Sequence, residues 1–249
     1  MSETMPAIVP ELGTINFSFF VDNLNIDMEK LKGISESITG QAPFQAAEQG
    51  PIKQTVSQHS GFNIVCSALP DRLTVNWDAQ PPNIPPTLGD FRTEQVADFI
   101  MALGKWKAES LVFHRLGLNG ALVYKIENVK DGYSLLARML TNIKELSYGP
   151  MTDFLYQLNK PTDLSLGGKL IGINRLCQFF TAQPVQIMSF HPGVPGLAPS
   201  PEPKNFVQVN FDINTLAEAK NEFRISEALS LFELMVENLA KIAADGDQF

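Results

Sequence analysis

The sequence contains few of the residues that most often act as metal ligands or as catalytic nucleophiles and bases. Among its 249 residues there are two cysteines and three histidines. Cys66 and Cys177 both lie inside apolar runs, where a thiol more often fills a core than binds a metal, and no disulfide between them is expected. None of His59, His114 and His191 has a second ligand at the spacing of a zinc motif. The sequence therefore predicts neither a metal site nor a cysteine nucleophile.

Signatures of nucleotide-binding and hydrolytic enzymes are also missing. The chain contains no G-x-x-x-x-G-K-[ST], no G-x-G-x-x-G and no G-x-S-x-G pattern. The glycine-rich stretch at 166–172, "LGGKLIG", has no helical pattern after it, whereas a phosphate site needs the start of a helix there. No catalytic residue and no cofactor are predicted, and the balance is against an enzyme.

Basic residues and long apolar runs are scarce. There are 19 Lys and Arg against 27 Asp and Glu, a formal net charge of −8, which argues against nucleic acid as a partner because phosphate neutralisation needs basic side chains. No run approaches the roughly 18 apolar residues of a membrane span, and the first residues lack the charged flank and apolar centre of a signal peptide. These absences predict a cytoplasmic protein that does not enter a membrane.

The patterns that are present predict alternating strands and helices. An alternating apolar run predicts a strand over 14–22, and a short amphipathic helix follows between Asp27, a suitable N-cap, and Gly40. Further on, Pro70-Asp71 separates two β-rich runs and predicts a hairpin.

The next helix is expected to begin near Thr87, because Asp90 three positions on resembles the second half of a capping box. Around Leu118-Asn119-Gly120, two apolar runs indicate either a hairpin or one long bent strand. The pattern then predicts a helix over 131–142, a strand over 206–213 and a long apolar helix over 225–243.

Together these elements predict an α+β protein of mixed, mostly antiparallel sheet with helices packed on one face. The expected organisation is a flexible N-terminal arm at 1–13, a first half at 14–104, a second half at 105–243 and a polar tail at 244–249. A proline-rich stretch at 190–206 is too long for an ordinary connection and predicts a binding loop or flap. Because both halves follow the order strand, helix, antiparallel strands, helix, the chain is either an internal duplication or two segments with a shared order.

The candidate site residues are polar groups at the ends of strands. Two similar runs, "FSFFVD" and "VQVNFD", end on Asp22 and Asp212, which are either a carboxylate pair or residues that bond their own backbone in turns; the neighbouring asparagines favour turns. His114 and Arg115 form the best polar spot within a β run. A ligand pocket between the two halves would combine them with aromatic side chains. The expected aromatic lining residues are Trp77, Phe113 and Tyr124.

Several strand patterns resemble a loosely defined family of uncharacterised bacterial proteins of about 250 residues. The resemblance rests on "ALPDRLTVNW" at 68–77, "VFHRLGLN" at 112–119, and the C-terminal stretch from 206 that ends in a long helix. It covers most of the chain. The sequence departs from the family pattern at Asn119-Gly120, where an Arg-Tyr pair is commoner. The family has no assigned activity, so the resemblance implies no catalytic residues.

Three functions follow as hypotheses. The first is a non-enzymatic interaction or assembly protein of a bacterial or phage-related system, which associates with itself or with another protein. The second is a small-molecule binding module. The third is an enzyme of unknown class that would use Asp22, Asp212, His114 and Arg115.

Overall fold

The computed structural model describes residues 8–79, 86–108, 110–141, 143, 154–182, 205–219 and 221–248. These residues form four helices and a ten-stranded sheet in which every strand pairing is antiparallel. The strands are β1 Glu11–Phe20, β2 Gln45–Gln49, β3 Ile52–His59, β4 Phe62–Leu69, β5 Arg72–Ala79, β6 Arg115–Lys125, β7 Leu155–Asn159, β8 Thr162–Leu166, β9 Lys169–Ala182 and β10 Phe206–Thr215. The helices are α1 Met28–Thr39, α2 Thr93–Gly104, α3 Val129–Met139 and α4 Ile225–Asp245. The predicted α+β class with a mostly antiparallel sheet is confirmed.

The strand order places the start of each predicted half at the centre of the sheet. The order is β2-β3-β4-β5-β1-β6-β10-β9-β7, and β8 pairs with the other end of β9. In both halves the first strand therefore lies beside the last one, β1 next to β5 and β6 next to β10. This common arrangement fits an internal duplication, which stays a prediction.

Burial alternates along β5, as the period of two of a β-strand requires. In β5, Leu73, Val75 and Trp77 are buried while their neighbours are partly exposed. Phe17 of β1 lies opposite Val75 on one side and Leu118 of β6 on the other, so the buried residues form continuous rows across the strands.

Local signals place α1 where the sequence predicted it. The Asp27 carboxylate accepts a hydrogen bond from the Lys30 backbone N–H at 2.8 Å, and Gly40 ends the helix at φ 75°. A buried hydrogen bond of 2.8 Å between the hydroxyls of Ser35 and Ser57 joins α1 to β3. The predicted N-cap and the predicted helix end are both confirmed.

The predicted capping box at Thr87 and Asp90 is wrong. The helix α2 begins at Thr93, after Arg92, which makes no capping hydrogen bond with its side chain. The Thr87 hydroxyl donates instead to the Glu11 carboxylate. Backbone hydrogen bonds join residues 88–90 to β1 and keep them out of a helix. This long-range pairing overrides the local helix signal.

The ends of the predicted organisation also differ from the structure. The strand β1 begins at Glu11, inside the predicted flexible arm, because its backbone pairs with β6 from that residue. The predicted polar tail is in large part ordered, since Gly246–Gln248 form a 3-10 turn and the Asp247 carboxylate accepts from the Thr141 backbone N–H at 3.3 Å. Almost all of the predicted loop at 190–206 lies outside the described residues.

The C-terminal helix α4 packs within its own chain. Its buried apolar residues include Leu231, Phe232 and Met235, and Phe232 makes edge contacts with Phe17 and Phe19 of β1 at ring distances of 5.1 and 5.3 Å. The apolar stripe of α4 is therefore core and is not an open surface for a second subunit.

Candidate functional site

The structure brings His114 and Asp22 together at the ends of β6 and β1. The His114 backbone N–H donates to the Phe20 carbonyl at 2.9 Å, which fixes the residue beside the end of β1. Its Nε2 lies 3.2 Å from Asp22 Oδ2, and its Nδ1 lies 3.4 Å from the Asn221 carbonyl oxygen. Both side chains are open to water, with exposures of 41% and 85%. An ion pair this exposed contributes little stability and lacks the dry environment that catalysis usually needs.

Arg115, which follows His114 and is the first residue of β6, belongs to a second group of contacting side chains. Its guanidinium carbon is 5.1 Å from the centre of the Phe20 ring, and Arg72 contacts the same ring at 5.7 Å. The Arg115 Nη2 donates to Asn214 Oδ1 at 2.8 Å, and the Asn214 amide donates to Asp212 Oδ1 at 3.0 Å. These contacts orient the side chains of Arg115, Asn214 and Asp212 on the strands. They provide no free nucleophile.

Asp22 and Asp212 do not form a carboxylate pair. Asp212 lies opposite Asn119 of β6, whereas the end of β1 at Phe20 lies opposite Arg115. These registers are four residues apart on β6, about 13 Å at roughly 3.3 Å per residue, and Asp22 lies beyond the end of β1. General acid–base chemistry by this pair is excluded. The prediction of a turn at Asp212 is wrong, because Asp212 lies inside β10 and accepts a hydrogen bond from the Asn214 side chain.

The predicted aromatic site residues belong to the core. Trp77 is 1% exposed and stacks on Phe99 at 5.0 Å, and Phe113 is fully buried. Tyr124 is 2% exposed and its hydroxyl donates to the Ala243 carbonyl at 3.0 Å, while burial raises the pKa of its phenol. Protein atoms enclose Trp77 and Phe113, whereas Tyr124 lies at the base of a groove of about 400 Å³ that Leu135 and Ala243 also line. Ligand contact by them stays a prediction.

Both cysteines are core residues with suppressed acidity. Burial raises the pKa of Cys66 from 9.0 to about 12, and that of Cys177 likewise to about 12. A thiol reacts as its thiolate, so neither should be labelled by Ellman's reagent in the folded protein at pH 8. Both should react once urea unfolds the chain. Fast labelling of the native protein would contradict this burial.

The same shifts predict a loss of stability in alkali. The folded-state pKa of each thiol lies above its unfolded value of 9.0, so the unfolded chain releases these protons first as the pH rises. The stabilisation is therefore complete below pH 9 and is lost between about pH 9 and 12. Urea melts at pH 8 and pH 10 should show the lower midpoint at pH 10, and substitution of both cysteines by alanine should reduce that difference.

Neither a dense ligand cluster nor a spanning helix is found in the part of the chain that the structure describes. No group of three or more His, Cys, Asp or Glu side chains there could hold a metal ion. None of the helices there is both long and apolar enough to cross a membrane. No protein-family model matches the chain, and no curated protein shows significant similarity to it.

The sequence patterns missed the strand at one edge of the sheet. The strand β2 has the unremarkable sequence "QAAEQ", without β-branched or aromatic residues, and all five of its residues are exposed. Among the described residues it pairs with β3 alone. The signal that could have revealed it is the dipeptide Gly50-Pro51, which forms the two-residue turn between β2 and β3 with Gly50 at φ 58°.

Proposed function

We propose that this chain is an assembly protein that pairs with a second copy of itself through β2. The observation that carries the proposal is the exposure of all five residues of an edge strand. An edge strand presents a row of backbone donors and acceptors that another strand can bind, so proteins usually protect such edges.

The strand β8 at the opposite edge is protected in a way that β2 is not. There, β7 and β8 are separated by Lys160-Pro161, and β8 carries the exposed charge of Asp163. Proline and charge both discourage pairing with a further strand. The other strand of that edge, β7, has neither proline nor charge, but only three of its five residues are exposed. The strand β2 contains no proline, and its one charged residue, Glu48, already lies 3.8 Å from Lys53.

The sequence of β2 also suits pairing with an identical strand. In an antiparallel pair centred on Ala47, Glu48 would face Ala46 of the other copy, so no like charges would be opposed. Phe44, just before the strand, is 62% exposed, and Ile52, just after the turn, is 43% exposed. These apolar side chains would add buried area beside the paired backbones.

The test of the proposed pairing replaces a residue of β2 whose backbone N–H points away from β3. Because the turn closes at the Gln49–Ile52 pair, alternation directs the N–H groups of Ala46 and Glu48 away from β3. Light scattering on wild-type protein across a range of concentrations should show a mass of twice the monomer. Ala46→Pro should weaken the association at least tenfold, which corresponds to about 1.4 kcal/mol, because each copy loses one backbone donor and the pair therefore loses two hydrogen bonds.

Ala46→Thr is the matched control, because it keeps the N–H and favours a strand. It should retain the wild-type mass. A wild-type monomer at all concentrations, or a dimer that Ala46→Pro leaves unchanged while circular dichroism shows an intact fold, would contradict the proposal.

A further inference from the structure

A groove of about 680 Å³ opens beside α1, away from β2. Three segments form its walls: the loop after β1 at 21–26, one side of α1, and residues 105–108 and 110–111 after α2. Its volume lies within the range of roughly 300–1,000 Å³ typical of small-molecule sites. The described lining residues that the argument uses are Leu24, Ile34, Trp106, Lys30, Lys105 and Lys107.

Contacts with the core hold the walls of the groove in place. Trp106 is 7% exposed and makes an edge contact with Phe19 at 5.6 Å. The loop after β1 is tied to the turn between β4 and β5, because the Val21 and Leu24 N–H groups donate to the carbonyls of Asp71 and Pro70 at 2.9 and 2.7 Å. A preformed site loses less conformational entropy when a ligand binds.

The groove is basic although the chain is acidic. Its described charged lining residues are Lys30, Lys105, Lys107 and Asp22, while the whole chain has a net charge of −8. Lys30 also lies 3.8 Å from Asp27, so Lys105 and Lys107 are the cations best placed to attract an anion. Leu24, Ile34 and Trp106 give the same groove an apolar floor.

A glycine in the middle of α1 faces this groove. Gly33 is exposed and lines the groove, and a Cβ atom built on it would meet no atom within 4 Å. Packing therefore does not require glycine here, and glycine in a helix interior costs stability. Any larger side chain at residue 33 would extend into the groove, so glycine at this position keeps the groove open.

We infer that the groove binds a small amphipathic anion, in which a carboxylate, sulfonate or phosphate group is joined to an apolar body. The anionic group lies near Lys105 and Lys107, where charge-assisted hydrogen bonds are available. The apolar body lies on Trp106 and Ile34 and covers the space above Gly33. The geometry needs no second copy of the chain, so this site is independent of the proposed pairing through β2.

The test uses a fluorescent probe of this chemistry and its neutral counterpart. The probe is 8-anilinonaphthalene-1-sulfonate, and N-phenyl-1-naphthylamine has the same rings without the sulfonate. We expect the sulfonate to bind at least about tenfold more tightly than the amine, and added salt to weaken only the sulfonate. Decanoate should displace the probe, and inorganic phosphate, which has no apolar part, should not.

Two variants locate the bound probe. The double variant Lys105→Gln/Lys107→Gln removes the two cations. Gly33→Leu fills the open space of the groove beside Gly33. Each variant should weaken binding of the sulfonate about tenfold or more. The matched control is Lys130→Gln/Lys241→Gln, which removes the same charge from exposed positions of α3 and α4. Ala46→Pro serves as a second control. Both controls should bind the probe as the wild type does.

Either of two results would overturn the inference. In the first, the sulfonate does not bind the wild type, or the neutral amine binds equally well, which means that the groove does not select an anion. In the second, both groove variants bind the sulfonate as tightly as the controls, which places the probe elsewhere. Thermal melts show that each variant is folded, and Gly33→Leu should melt no lower than the wild type because leucine favours a helix.

Discussion

Replacing Gly120 with alanine should destabilise the protein by about 3 kcal/mol or more, and could prevent folding, because the added methyl group has no space. Built on Gly120, it would overlap the Thr14 carbonyl oxygen and lie 2.8 Å from Phe211 Cζ. The first neighbour is backbone in the centre of the sheet, so it cannot rotate away as the end of a side chain could. Urea denaturation of the two proteins measures the difference.

The close approach at Gly120 follows from an irregularity in β1. The pairing of β1 with β6 shifts register between Leu12 and Thr14, which brings the Thr14 carbonyl over the neighbouring strand. Gly120 lies opposite Ile15, next to this irregularity, where the backbone of β1 comes too close to leave room for a side chain.

Gly117→Ala is the matched control, on the same strand and with the same added methyl group. A Cβ atom there would meet Ser18 and Asn214 side-chain carbons at 3.6 and 3.7 Å, which are ordinary contacts. This variant should be neutral, or more stable by up to about 1 kcal/mol, because alanine loses less backbone entropy on folding. Equal midpoints for the two variants would show that the β1 bulge relaxes without cost.

The sequence predicted the elements whose signals are local. Asp27 and Gly40 are cap residues that act within one turn of α1, and Pro70-Asp71 makes a turn from its own backbone preferences, so these assignments were correct. Thr87 carried the same kind of local signal, but it was wrong because its partner is Glu11, distant in sequence. The strand β2 had no signal in its composition and depends on its pairing with β3.

The site depended still more on contacts between distant segments. His114 was selected as a polar residue in a β run, but its contact with Asp22 arises from the pairing of β6 with β1. Lys105 and Lys107 looked like ordinary exposed residues, and they gain significance only because the fold places them across a groove from Gly33. Periodicity identified the aromatic residues as apolar but could not show that Trp77 is enclosed by the core.

Truncating Phe17 should destabilise the whole molecule by about 3–5 kcal/mol, the usual cost of removing a buried phenylalanine. Phe17 is fully buried in β1, and its ring makes edge contacts with Trp77 of the first half at 5.5 Å and with Phe232 of the second half at 5.1 Å. The two predicted halves therefore share this part of the core. We expect Phe17→Ala to lower the urea midpoint without splitting the transition.

The probes for this experiment should report on the two halves separately. Hydrogen exchange of α1 amides follows the first half, and hydrogen exchange of α4 amides follows the second. Met101→Ala, at an exposed position of α2, is the control and should change stability by no more than about 0.5 kcal/mol. Because a shared core couples the free energies of the two halves, both probes should give one midpoint in the wild type and a lower common midpoint in Phe17→Ala. Separate midpoints would instead mean that the halves fold independently, and that the contact between Phe17 and Phe232 contributes little to holding them together.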